Sequence, residues 1–295
     1  TGIWAGRHFE TDDAIIFVGA CGIAVRSIAP YVASKKSDPA VLVIDECGKF
    51  VISLLSGHLG GANELTLEVA ELLGAVPVVT TATDLHHRFA VDVFAKKNCC
   101  GIQNMKAAKE VSAALLAGEP VGFYSEFPWT GKLPEGLEES SEDTQDKPEI
   151  GIAVTIHQTC KPFTSTVQII PRVVTLGMGC RRNKEADVIE KEASVCLADA
   201  DIYSQAVEKL TSISIKKDEV GLQKLAEDWR IPFITFEEEE LSHAEGEFTP
   251  SEFVKKITGV NNVCERSAVL GAEQGSLIKN KTGRNGVTTA LALRN

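Results

Sequence analysis

LLSGHLGGANELTLEVAELLGA, residues 54–75, changes character halfway along. In its right half, Leu65, Val69, Leu72 and Leu73 fall at i, i+4, i+7 and i+8, which is one face of a helix. Gly74 stands where a helix C-terminus favours a residue free to take positive φ. In its left half, Ser56, Gly57, His58, Gly60, Gly61 and Asn63 crowd between that helix and the apolar run FVISLL, residues 50–55. Strand, glycine loop and helix in that order describe an α/β unit. The loop lies where such units gather ligands, and the helix N-terminus favours anions there. His58 is the side chain of the loop that moves protons near neutral pH. Asn63 reads as an N-cap. The bland alternative has the glycines turning the chain and His58 merely exposed.

The surrounding pattern extends this unit. AIIFV at 14–18 and AVLVI at 40–44 are apolar runs of strand length. DECGK at 45–49 joins the second of them to FVISLL as a hairpin, so part of the sheet is antiparallel. VPVVT at 76–80 is a further strand, and residues 23–28 read as a helix after the loop Gly19-Ala20-Cys21-Gly22. That loop offers backbone donors and Arg26, although a plain turn with a solvated arginine explains it as well.

Further along, residues 89–97 and 106–117 are helical in pattern, and 121–124, 149–155 and 167–170 are strand-like. Residues 133–148 hold six carboxylates and one lysine and read as a solvated linker. RVVTL at 172–176 begins a new unit, a strand running into the loop Gly177-Met178-Gly179-Cys180-Arg181-Arg182. Helical patterns are expected at 185–192, 202–210, 219–229 and 250–257, and a helix or a tight turn at 264–270. Strands are expected at 212–216, 232–236, 276–279 and 286–292, the last two joined by a turn-rich 280–285. The expected fold is α/β. Two three-layer α/β/α domains with mixed sheets, residues 1–84 and 171–295, flank a small central α/β segment, residues 85–170.

Composition narrows the function classes. The formal net charge of −11 disfavours non-specific nucleic-acid binding. There is no apolar run of membrane-spanning length and no signal-peptide pattern at the start. Eight cysteines without a C-x-x-C pair read as reduced thiols, most of them core residues, in a cytoplasmic protein. No local spacing suits a zinc site. G-x-x-x-x-G-K-[ST], G-x-G-x-x-G and G-x-S-x-G are all missing, which argues against a P-loop, a Rossmann dinucleotide site and an ordinary serine hydrolase.

The remaining candidates are basic or polar. Arg181 and Arg182 are suited to gripping carboxylates in bidentate fashion. Cys180 reads as a packed thiol or, with a pKa depressed by those arginines, as a nucleophile. Lys279, Lys281 and Arg284 are read as solubilising charges on a hairpin. Thr80, Thr81, Thr83 and Asp84 end a strand. His86 and His87 make a poor metal pair, and His8, His157 and His243 stand alone. Together these features describe an α/β protein that binds an acidic small molecule, with a cleft between two units as the sharper form of that reading.

FVGACGIAVRSIAPYVASKKSDPAVLVID, SLLSGHLGGANELT and VPVVTTATD together resemble the N-terminal region of the CbiG family of the anaerobic cobalamin pathway. VVTLGMGCRRNKEADVI through GVTTALA resembles that family's CobE-like C-terminal domain. The family also has a further strand and helix ahead of the position of Asp13, of which about a dozen residues stand here. The resemblance implies a cobalt-precorrin-5A hydrolase. Such an enzyme opens the δ-lactone of a cobalt corrinoid and releases acetaldehyde, giving cobalt-precorrin-5B. It implies no cofactor or metal site of the protein's own, because cobalt travels in the substrate. Expected partners are the anionic cobalt-corrinoid substrate, a second copy as a homodimer, and neighbouring pathway enzymes in transient contact, with no nucleic acid and no membrane. On this reading His58 is the catalytic base. Gly22, Arg26, Ser56, Gly57, Gly60, Gly61, Asn63, Gly177, Gly179, Cys180, Arg181 and Arg182 bind substrate, with the N–H groups of Gly60 and Gly61 facing the oxyanion. The alternatives are a non-catalytic corrinoid carrier of the same pathway and an unrelated nucleotide- or phosphate-binding α/β protein.

Overall fold

A computed structural model describes residues 2–34, 37–58, 60–81, 89–129, 131–141 and 146–294. It contains three mixed sheets of four, five and five strands.

Within the first sheet, helix α1 (Gly2–Phe9) precedes β1 (Ala14–Val18) and α2 (Cys21–Ile28) follows it. Next come β2 (Ala40–Ile44), β3 (Phe50–Leu55), α3 (Ala62–Leu73) and β4 (Val76–Val78). The strands lie in chain order. β1 and β2 are parallel, β2 and β3 form the antiparallel hairpin, and β3 and β4 are parallel. All five residues of β2 are buried. Val41 and Val43 pack with α1 and α2, and Ala40, Leu42 and Ile44 pack with α3. The strand's period of two thereby feeds both faces, which is why AVLVI reads as a continuous apolar run.

The central unit starts with α4 (Val91–Lys97), β5 (Gly101–Gln103), α5 (Met105–Ala117), β6 (Val121–Ser125) and β7 (Leu137–Glu139). β8 (Ile150–Val154) and β9 (Ser165–Ile170) complete it. Its sheet order is β5-β9-β8-β6-β7. α4 and α5 cover one face. Phe163 covers the other, over Gly122 and Gly151, where an added Cβ would lie 2.1 and 2.3 Å from its ring. β5 and β7 depart from the sequence expectation. β7 rises from the acidic linker because Leu137 is buried there and pairs with Val121.

The third unit runs β10 (Val174–Cys180), α6 (Ala186–Asp199), β11 (Val207–Ile213), α7 (Val220–Trp229) and β12 (Phe233–Phe236). It continues with α8 (Glu238–Ser242), α9 (Glu252–Thr258), α10 (Cys264–Gly271), β13 (Ser276–Arg284) and β14 (Val287–Leu293). Val174, Leu176 and Met178 pack with α6 and α7. On the opposite face Gly177 lies against α10, where a Cβ would sit 1.9 Å from the Cys264 carbonyl. Four expectations are corrected here. Residues 202–210 are not a helix, because Val207–Leu210 enter the sheet as β11, and 214–216 leave it in a 3-10 turn. The Gly177–Cys180 loop is strand, paired with β14 along all seven residues of β10. The last hairpin turns at Asn285-Gly286, both at positive φ, rather than across 280–285. An Asn-Gly pair between apolar strands is the strongest short signal for such a turn.

Candidate functional site

Residues 56–63 fold back on themselves before α3 begins. The Gly61 N–H donates to the His58 carbonyl at 2.9 Å, Ala62 N–H to Ser56 at 3.1 Å and Asn63 N–H to Gly57 at 3.0 Å. These donors are those that a helix N-terminus usually leaves unpaired. The Gly61 N–H is therefore taken and does not face an oxyanion, which corrects the expectation made for it. Gly60 is required by closeness, since a Cβ there would lie 2.3 Å from the Ser56 Cβ and 2.7 Å from its carbonyl oxygen.

Asn63 is not the cap. Gly61, at φ +87°, holds the N-cap position. The Asn63 side chain is buried instead, accepting from Ser53 Oγ at 2.6 Å and donating to Thr81 Oγ1 at 2.7 Å. It ties β3, α3 and the residues after β4 together beneath the loop.

His58 meets a carboxylate that the sequence reading did not pick out. Its Nδ1 lies 3.4 Å from Asp92 Oδ1, and the two side chains are only 17% and 15% exposed. Asp92 comes from α4. Four residues on, on the same helical face, Lys96 places its Nζ 2.9 Å from where a Gly61 Cβ would stand. Lys97 pairs with Glu64 at 2.9 Å across the same contact. A carboxylate at Nδ1 orients an imidazole, the relation between a general base and its orienter. The signal for Asp92 was its place in the first turn of an amphipathic helix, which says nothing about distant partners.

The other predicted residues lie elsewhere. Because β3 runs antiparallel to β2, the Ser56 loop and the Gly19–Gly22 loop leave opposite ends of the first sheet. α2, carrying Gly22 and Arg26, covers the face opposite α3. Gly22 and Arg26 therefore do not join the His58 loop. Gly177 and Gly179 are strand residues; a Cβ on Gly179 would meet Thr288 Oγ1 at 2.9 Å. Burial pushes the Cys180 thiol up to about 11, with Lys216 opposing that rise and Glu219 adding to it. The depression by neighbouring arginines on which a nucleophile reading would rest is not seen at Cys180. Arg181 and Arg182 extend past the end of β10, and both are exposed, as is Arg26. No ion pair among the described residues engages these three arginines.

Two of the histidines read as solitary are paired. His8 lies 2.8 Å from Asp12, and His157 lies 3.0 Å from Glu126. Thr83, Asp84, His86 and His87 fall outside the described residues. An open cavity of about 540 Å³ between the second and third sheets is lined by Phe94, Phe127, Trp129 and Arg172. No described helix is long and apolar enough to cross a membrane.

Three mixed sheets with a histidine–carboxylate pair at a glycine loop define an α/β protein without the nucleotide-binding fingerprints. Residues 4–84 match the family model "Cobalamin synthesis G N-terminal", 89–171 "Cobalamin biosynthesis central region" and 174–292 "Cobalamin synthesis G C-terminus". The chain belongs to the cobalamin synthesis G (CbiG) family. It is 37% identical to a cobalt-precorrin-5A hydrolase of Salmonella typhimurium, over 98% of this chain and 84% of that protein. A cobalt-precorrin-5A hydrolase of Priestia megaterium is 36% identical, over 96% and 79%. Protein CobE of a Sinorhizobium species is 29% identical over 40% of this chain and 79% of its own length.

Proposed function

We propose that the protein is a cobalt-precorrin-5A hydrolase, which opens the δ-lactone of the corrinoid and releases acetaldehyde to give cobalt-precorrin-5B. The observation that carries this reading is the near full-length identity to two hydrolases of that name. The His58–Asp92 pair supports it, because hydrolysis of a lactone needs a group that takes a proton from the attacking oxygen. Cobalt enters with the substrate, and the protein needs no metal of its own.

The substrate rim carries acetate and propionate groups. Arg181 and Arg182, exposed and without ion pairs among the described residues, suit those carboxylates through charge-assisted hydrogen bonds. Arg26 suits the same chemistry from a different face of the first sheet. The protein works in the cytoplasm, as a homodimer, and passes its labile product to the next enzyme by transient contact.

Anaerobic incubation with cobalt-precorrin-5A, followed by an acetaldehyde assay, tests the reading. Stoichiometric acetaldehyde is the expected result. Tight binding of the corrinoid without release would leave a carrier in place of an enzyme. Replacing both Arg181 and Arg182 by Ala is expected to raise KM about tenfold with little change in kcat, the signature of lost uniform binding.

A further inference from the structure

The His58 loop contains a second reactive group, and the cost of keeping it there is visible. Ser56 has φ of +57°, a left-handed conformation unfavourable for a residue with a Cβ. Its Oγ is shut off from solvent and has no hydrogen-bond partner. A buried hydroxyl left unpaired is a further cost. Asparagine and aspartate often offset a positive φ with a local side-chain hydrogen bond, but Ser56 makes none. Glycine would remove both costs at once, and the loop already uses glycine at Gly57, Gly60 and Gly61.

The position is also specific. Ser56 is the first residue after β3, on the turn into α3 and two residues before His58. The Gly60 backbone closes over its Cβ, so the strained turn is locked in place. Strain held by its surroundings at a functional loop is a recognised sign of a working residue. Ser56 stands on the strand-to-helix connection two residues before His58, which Asp92 approaches, so a hydroxyl, an imidazole and a carboxylate, the residue types of an activated nucleophile, meet at one loop. The G-x-S-x-G spacing is missing, but that spacing is one way of building such a turn, and here the glycines follow the serine.

We propose that Ser56 is the covalent nucleophile of lactone opening, with His58 as its base and Asp92 as the residue that positions His58. This rests on the hydrolase reading given above. His58 Nε2 takes the Ser56 hydroxyl proton as Oγ attacks the lactone carbonyl carbon. The tetrahedral intermediate collapses, the ring C–O bond breaks, and the departing oxygen takes the proton from His58. The corrinoid is now an ester of Ser56. Water then gives its proton to His58 and attacks the ester carbon. Ser56 Oγ leaves, regains that proton, and the freed side chain departs as a carboxylic acid. The net change is addition of one water to the lactone. Re-aiming the hydroxyl toward substrate takes a turn about the single χ1 bond.

The test compares wild type with Ser56→Gly, using cobalt-precorrin-5A under anaerobic conditions. Thermal unfolding of Ser56→Gly is expected at or above the wild-type midpoint, since strain is relieved. Its corrinoid affinity by spectral titration is expected to stay within threefold of wild type, while lactone opening falls by about 10³-fold or more. In rapidly quenched wild type, the peptide containing Ser56 is expected to gain the whole mass of the substrate. Hydroxylamine is expected to divert the ester to a corrinoid hydroxamate, in wild type and not in Ser56→Gly. Lactone opening by Ser56→Gly within tenfold of wild type would overturn the proposal. So would an active wild type that yields neither adduct nor enzyme-dependent hydroxamate. Failure of wild type itself to open the lactone would overturn the hydrolase reading, and this proposal with it.

Discussion

His58 Nδ1 lies 3.4 Å from Asp92 Oδ1, joining the glycine loop of the first unit to the first turn of a helix whose apolar face packs in the second. The separation is slightly longer than a good N–H···O bond, as catalytic contacts often are before substrate tightens them. His58→Ala is expected to lower kcat for acetaldehyde release by about 10²–10⁴-fold, the usual worth of general acid–base catalysis. Asp92→Asn is expected to lower kcat by at least about tenfold with KM little changed, because the ring loses its orienting charge. The kcat–pH profile of Asp92→Asn separates this from a packing defect, since a purely structural role would leave the profile's shape unchanged.

Gly177→Ala tests the seam between β10 and α10. The added methyl would stand 1.9 Å from the Cys264 carbonyl and 2.9 Å from the Ala268 Cβ. Neither atom belongs to a flexible side chain. A loss of stability of about 1–3 kcal/mol or more is expected from such overpacking. Guanidinium unfolding, with an unchanged m-value and a lower midpoint, checks it.

Cys180 should resist alkylation. Burial holds its thiol near 11, so very little thiolate is present at pH 8, and the thiolate is the reactive form. Iodoacetamide at pH 8 is expected to label the exposed Cys47 and Cys99 well before Cys180. Peptide mapping over time reads the order directly.

Asp45 links the stability of the first sheet to acid. Its carboxyl is held below the ordinary aspartate range, first by the Phe50 N–H at 2.6 Å, with desolvation opposing and the Cys47 N–H at 3.1 Å adding to it. A lowered folded-state pKa stabilises above the unfolded value, near pH 4, and that contribution is lost as pH falls through the folded value. Thermal midpoints measured from pH 5 down to pH 2.5 are expected to fall less steeply for Asp45→Asn than for wild type.

Much of the architecture was legible because it rests on local patterns. AVLVI announced a strand, and DECGK announced the hairpin beside it. Where the reading failed, longer-range packing prevailed. In residues 207–210 the apolar Val207 and Leu210 stand three apart, as on a helix, and pairing with β10 across a register shift settles them as strand. Gly177 and Gly179 looked like a loop because glycine is common in loops, whereas here it makes room for α10 and Thr288. Asn285-Gly286 was a readable turn that went unused. In the site, the glycine loop was evident, but Asp92 and Lys96 were not, since no spacing rule connects residue 58 with residue 92. The strain at Ser56 was not readable either, because a backbone angle has no signature in composition.

β14, from the end of the chain, lies between β10 and β13 inside its sheet. During synthesis, β10 must therefore leave the ribosome with one edge bare and wait for a strand more than a hundred residues downstream. The first sheet has no such dependence, since its strands are neighbours in chain order. A nascent chain can thus complete the His58 loop while its C-terminal third is still waiting, exposing an apolar edge of the kind that chaperones cover.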